Sequence, residues 1–150
     1  MITYQQETLE TFLPDSKPLF DVFYDEIAQN KDDIPAGFNT EFYKHLESRN
    51  RFKIYTIRDN DKLIGFSFWI LFYHPHFKTS LTATSDLIFV LQEYRKGLFG
   101  YKFLKHSLNQ IKKHNPQRIL IGVKPNNDFG KILERLGASH FETVYSFKLE

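Results

Sequence analysis

Asp86-Leu-Ile-Phe-Val-Leu-Gln-Glu-Tyr-Arg-Lys-Gly-Leu-Phe-Gly-Tyr-Lys-Phe-Leu-Lys105 reads as a buried strand, a tight basic turn and the start of a helix. Leu87 to Leu91 are all apolar, as in a strand covered on both faces. The turn supplies Arg95, Lys96, Gly97 and Gly100. Beyond it, Tyr101, Leu104, Leu108 and Ile111 recur at helical spacing, which predicts a helix from near Leu98 to near His114. The first N–H groups of such a helix have no intrahelical partner, and its positive dipole end faces the turn. A phosphate suits that place. Glycine lets the backbone approach closely, free N–H groups donate to phosphate oxygens, and Arg95 and Lys96 add charge.

Upstream, Ile2 to Leu9 reads as a first strand. Asp15 or Ser16 is placed to cap a helix that runs to about Gln29, with Leu19, Val22, Phe23 and Ile27 inward and Pro18 in its first turn. A polar loop from Asn30 to Phe38 precedes a second helix from Asn39 or Thr40 that buries Phe42, Tyr43 and Leu46. Phe52 to Arg58 and Lys62 to Phe72 form an antiparallel hairpin around Asn60-Asp61. His74-Pro-His76 breaks the run, and Ser80 to Leu91 is the strand that feeds the glycine turn. Downstream, Arg118 to Val123 is predicted as a buried strand, parallel to the one before the turn. Phe129, Ile132, Leu133 and Leu136 predict a short helix ended by Gly137. Phe141, Thr143, Tyr145, Phe147 and Leu149 alternate along a last strand, Phe141 to Leu149.

The 150 residues fit one domain, with no repeat, linker or low-complexity tract. Cysteine is absent, which excludes disulfides, thiolate catalysis and cysteine zinc sites. Twenty basic and eighteen acidic residues leave a net charge of +2, too balanced to argue for nucleic acid. The longest apolar run, Leu63 to Tyr73, is about half of the roughly 20 residues a membrane helix needs, so no membrane association is expected. The first residues show no basic region followed by an apolar one, and the expected location is the cytoplasm. Sixteen phenylalanines signal a bulky core.

Val90-Leu-Gln-Glu-Tyr-Arg95 resembles the V-x-P-E-Y-R that introduces the acetyl-CoA loop of the GCN5-related N-acetyltransferases, with Gln92 in place of proline. Arg95 and Gly100 fall on the ends of the family's glycine loop, while Leu98 occupies its inner glycine place and Gly97 sits one residue early. Arg-x-Gly-x-x-Gly is also similar to a variant in acetyltransferase-like proteins of tailed bacteriophages. Near Asp128 to Ala138 the chain resembles the family's second motif. Asn126 stands on its asparagine, but Phe129, Leu133 and Ala138 replace its alanine, tyrosine and phenylalanine.

The resemblance implies an α/β fold, α+β by some schemes, in one domain spanning 1-150. Its mixed central sheet would have about six to seven strands, with about four helices packed on both faces. It implies acetyl-CoA as cosubstrate, no metal, and an amine acceptor, small molecule or protein, acetylated by direct attack in a ternary complex. The loop residues Arg95, Lys96, Gly97, Leu98, Phe99, Gly100 and Tyr101 would hold the coenzyme's phosphates, and main-chain groups of Val90 and Leu91, with Asn126, its pantetheine arm. A homodimer is left open.

Two residues are candidates for proton transfer. Asp86, on the strand face of Ile88 and Val90 and nine residues before Arg95, is the candidate base, since some members of the family carry an acidic residue or histidine there. Its alternative is a carboxylate held by backbone N–H groups at a strand bend. Because Leu133 replaces the motif tyrosine, Tyr145 is the candidate acid for the leaving thiolate, with solvent as the alternative source. His74, His76 and His45 form a poor metal set without cysteine nearby. Asp32 and Asp33 could attract a cationic amine, or be a solvated loop. Lys102, Lys105, Lys112, Lys113 and Arg118 read as a solvated basic face better than as a nucleic-acid site. The rival to the enzyme reading is a protein of the same fold that has lost turnover and serves as a coenzyme-binding or protein-interaction module.

Overall fold

The computed structural model describes residues 1–149. Five strands form one sheet in the order β1-β2-β3-β4-β5: β1 (Ile2–Glu7), β2 (Phe52–Asp59), β3 (Lys62–Tyr73), β4 (Leu81–Val90) and β5 (Arg118–Leu120). The first four pair antiparallel, and β4 pairs β5 in parallel, as the sequence predicts for that crossover. Helices α1 (Leu9–Ile27) and α2 (Thr40–Ser48) cover one face, α3 (Phe99–Lys112) covers the other, and α4 (Gly130–Arg135) follows β5.

Each face has its own apolar core, which explains why every residue from Phe52 to Arg58 is buried. On the α1/α2 face, Phe12, Phe66, Phe68 and Phe89 are essentially inaccessible, and Phe12 meets Phe66 and Phe68 edge-on at 5.6 and 5.2 Å. On the α3 face, Tyr55, Trp69 and Leu71 pack with Ile111. Below the glycine turn, Ile57, Ile64 and Val90 pack with Phe103. The Trp69 indole donates to Ser67 Oγ at 3.0 Å, and Ser67 Oγ lies 3.0 Å from Ser107 Oγ, so the two serine hydroxyls buried between sheet and α3 are satisfied, whereas the buried Tyr55 hydroxyl on the same face has no partner among the described residues.

Three expectations are corrected. The first helix begins at Leu9, well before Asp15 or Ser16, because Thr8 and Thr11 form a reciprocal cap: Thr11 N–H donates to Thr8 Oγ1 and Thr8 N–H to Thr11 Oγ1. Pro14 and Pro18 then lie inside the helix, on its exposed side. The sheet has five strands rather than six or seven. Phe141 to Leu149 alternates but joins no strand among the described residues and stands exposed, since alternation forms a strand only where a neighbouring edge takes up its hydrogen bonds. Finally, β5 stops at Leu120 instead of Val123, just before Gly122.

Gly65 fixes the approach of β4. A Cβ there would sit 2.7 Å from Ile57 Cγ2, 2.9 Å from the Phe89 carbonyl oxygen and 3.0 Å from Val90 Cγ2. Gly65→Ala is therefore expected to lower stability by about 1–3 kcal/mol, as overpacking typically does. A urea midpoint unchanged from wild type would show that β4 yields without strain.

Candidate functional site

The site arises where β4 outruns its parallel neighbour. Thr82, Ala83 and Thr84 pair with Arg118, Ile119 and Leu120. Gly122 N–H then donates to Ser85 Oγ at 3.3 Å, and beyond that point β4 continues without a strand on this side. Its other edge stays paired with β3 as far as Val90. The result is a splay whose β4 wall runs from Ser85 to Ile88 and whose other wall carries Gly122, Lys124, Asn127 and Phe129. Phe23 and Ile27 of α1 close it around a cavity of ≈ 50 Å³. A larger polar cavity, ≈ 340 Å³, lies at the opposite edge of the sheet beside Gln5, Glu7 and Arg58. None of its lining residues belongs to the glycine turn or to the splay at Asp86.

Past Val90 the chain makes one 3-10 turn, Gln92–Tyr94, whose Tyr94 hydroxyl donates to Asp59 Oδ2 at 3.0 Å. That bond raises the Tyr94 phenol above its ordinary pKa and lowers the Asp59 carboxyl. Gly97 turns the backbone at φ +64°, a left-handed conformation that favours glycine. Leu98 then caps α3 without any side-chain hydrogen bond, and the first backbone bond of the helix runs from Lys102 N–H to Leu98 O. The N–H groups of Phe99, Gly100 and Tyr101 therefore have no partner among the described residues, with exposed Lys96 alongside and no acidic residue in the first turn. An uncapped helix start leaves its first N–H groups without intrahelical partners in this way.

Arg95 lies differently from the expectation of a free cation. Its Nε donates to the Val90 carbonyl at 2.7 Å, Nη1 bonds Glu26 of α1, and the guanidinium lies 5.0 Å from the Phe89 ring centre. Nη2 is buried and has no partner among the described residues. Arg95 thus fastens the end of α1 to the end of β4 and keeps one unsatisfied donor at the turn. Main-chain groups of Val90 and Leu91 are engaged too, since Val90 O takes Arg95 and Leu91 N–H donates to Ile64 O at 2.9 Å. Asn126 spans the splay instead of pointing into it: Nδ2 donates to the carbonyls of Glu26 and Ile27 at 3.3 and 3.2 Å.

Asp86 lines the splay, but on another face than alternation predicts. Trp69 pairs with Ser85 and Phe68 with Leu87, leaving Asp86 as the extra residue of a β-bulge. The bulge turns it away from Ile88 and Val90 toward the α1/α2 face, where the Tyr43 hydroxyl bonds Asp86 Oδ2. Burial and that carboxylate together raise the Tyr43 phenol far above its ordinary range. Tyr145 is 83% exposed near the end of the chain and is not gathered with these groups.

Sequence reasoning passed over two members of this arrangement. Tyr43 was legible only as an inward residue of α2, and Glu26 not at all, because its partner is 69 residues away. An aspartate inside an otherwise apolar strand is the one local signal that some partner must exist. His74 and His76 sit in the β3–β4 turn, far from the glycine turn, with ring centres 4.9 Å apart. Asp33 pairs with Lys148 at 3.4 Å. Among the described residues no three His, Cys, Asp or Glu side chains are grouped to hold a metal ion, and no helix is long and apolar enough to cross a membrane.

No family model matches the sequence, and no curated protein matches it. Solved structures do match the fold. An aminoglycoside acetyltransferase from an uncultured soil metagenomic sample, in complex with trehalose, superposes with a TM-score of 0.72 at 14% identity over 99% of this chain and 97% of its own. A predicted acetyltransferase with acetyl-CoA from Clostridium acetobutylicum gives 0.73 at 12% identity, over 99% and 96%. A ribosomal-protein-alanine N-acetyltransferase from Brucella melitensis biovar Abortus 2308 gives 0.70 at 13% identity, over the full length of both. The chain thus has the fold of the GCN5-related acetyltransferases in a five-stranded, four-helix form. Identities this low carry the fold alone.

Proposed function

We propose that this protein is an acetyl-CoA-dependent N-acetyltransferase that acetylates a primary amine by direct transfer within a ternary complex. One observation carries the reading: the open edge of β4 runs from a carboxylate, Asp86, to the turn that leads into an uncapped helix start, where three N–H groups are unpaired among the described residues. Those amides and exposed Lys96 fit a diphosphate. Bound there, the cosubstrate would bring an acetyl group already activated as a thioester. The chain's own part is to hold the diphosphate at α3, to align the acceptor against the splay, and to take the amine's proton on Asp86. Orientation in such a complex supplies much of the rate, and proton transfer adds about 10²- to 10⁴-fold. Solvent protonates the thiolate in this reading, since Tyr145 stands apart. Small amines and protein amines both remain acceptors to test, and the structural neighbours named above act on each kind.

Calorimetry is expected to show heat with acetyl-CoA and none with acetylpantetheine, which lacks the diphosphate. Mass spectrometry of the protein incubated with acetyl-CoA and cell lysate should then find amines that gain an acetyl group. Absence of heat with acetyl-CoA would remove the proposal. The rival, a module of this fold without turnover, is favoured by the narrow splay and by the Arg95–Glu26 bond across its end. Binding of acetyl-CoA with no acetylated product across amine and protein panels would decide for it.

A further inference from the structure

We propose that Tyr43 is a positioning residue that holds one oxygen of Asp86 so that the other receives the acceptor's proton at the splay. The inference rests on the transferase reading and adds to it a residue that neither the glycine turn nor the sequence motifs identify.

Asp86 needs such a partner. As the extra residue of a bulge it has no ladder partner on β3, and its side chain is exposed. Left alone, its carboxylate would rotate among several rotamers. The Tyr43 hydroxyl bonds Oδ2, while Oδ1 has no partner among the described residues. Tyr43 is itself fixed. Its ring stacks on Phe38 at 4.7 Å and 13°, lies 4.7 Å from Phe52, and meets Phe42 and Phe68 edge-on at 5.4 and 5.6 Å. Four rings therefore hold one phenol oxygen, and that oxygen holds one carboxylate oxygen. Lys124, from the far wall, is the other charged group lining the splay with Asp86; α1 contributes only Phe23 and Ile27.

The proton balance is simple. An N–H bond of the acceptor's ammonium breaks as an O–H bond forms on Asp86 Oδ1, the electron pair stays on nitrogen, and the neutral amine becomes the nucleophile. Tyr43 keeps its own proton throughout, in line with a phenol whose pKa is raised by burial and by Asp86.

Tyr43→Phe keeps the ring and removes only the hydroxyl. Its kcat is expected to fall roughly tenfold, part of the contribution of a positioned base, with KM for acetyl-CoA unchanged. Asp86→Asn combined with Tyr43→Phe should be no slower than Asp86→Asn alone, because the two residues act as one unit. A purely structural tie between α2 and β4 would give additive losses. A second readout needs no turnover: with tyrosines labelled at Cζ, the Tyr43 carbon resonance should move in Asp86→Ala more than that of any other tyrosine. Wild-type kcat in Tyr43→Phe, or a Tyr43 resonance indifferent to Asp86→Ala, overturns this role alone. Absence of any acetyl transfer by the wild-type protein, with the resonance responding as expected, overturns the transferase reading and this role with it.

Discussion

Arg58→Ala is expected to lower stability by about 3–5 kcal/mol, the range found when one partner of a buried ion pair is removed. Arg58 lies on β2 with its side chain 9% exposed, and it grips Glu7 of β1, 5% exposed, with two parallel bonds: Nε to Oε1 at 2.8 Å and Nη2 to Oε2 at 3.0 Å. Nη1 reaches Asp15 of α1 and the Asp61 carbonyl, both at 2.8 Å, and Thr56 Oγ1 adds a bond to Glu7 at 2.5 Å. These partners raise the guanidinium's pKa against the opposing effect of burial, so it stays charged inside the fold. Alanine would leave Glu7 charged, buried and short of donors. Replacing both residues by apolar ones of similar volume, Arg58→Met with Glu7→Leu, should cost much less, since desolvation of the pair then disappears with its attraction. Urea denaturation of the three variants at neutral pH checks this. A loss below about 1 kcal/mol for Arg58→Ala would mean that water reaches Glu7, as at a surface pair. The cluster ties α1 to the β1–β2 edge, and the other end of the same helix carries Phe23 and Ile27, which close the splay.

The glycine turn was legible because its signals are local. Apolar residues from Leu87 to Leu91, then Gly97, then Tyr101, Leu104, Leu108 and Ile111 at helical spacing specify strand, turn and helix without help from the rest of the chain. The hairpin around Asn60-Asp61 was readable for the same reason, and both residues adopt positive φ, 46° and 71°. What failed depended on distant partners or on departures from ideal periods. Asp86 changed faces through one inserted residue that alternation cannot reveal. Arg95 was read as a free cation because Glu26 is remote in sequence. Thr8 and Thr11 formed a cap with threonine where the usual signature has glutamate or glutamine, so the proline-bearing turn drew the boundary instead. Phe141 to Leu149 had the pattern of a strand but joins no sheet edge among the described residues.

Asp86→Asn is expected to reduce kcat for acetyl transfer by about 10²- to 10⁴-fold, the usual contribution of a positioned proton acceptor. The substitution preserves shape and keeps an acceptor oxygen for the Tyr43 hydroxyl, so thermal stability should change little. Binding should change little as well, because the amides of Phe99, Gly100 and Tyr101 lie at the opposite end of the open edge, past Val90. Amine-dependent release of coenzyme A, measured alongside calorimetry with acetyl-CoA, separates the two properties. A variant that binds normally and scarcely turns over is the expected pair of results. Its Tyr43 phenol should also ionise at lower pH than in the wild type, since the charge that opposes formation of the phenolate is gone. Turnover equal to wild type across the pH range would instead leave orientation alone to drive the reaction, with a carboxylate at the bulge serving only to tie α2 to β4.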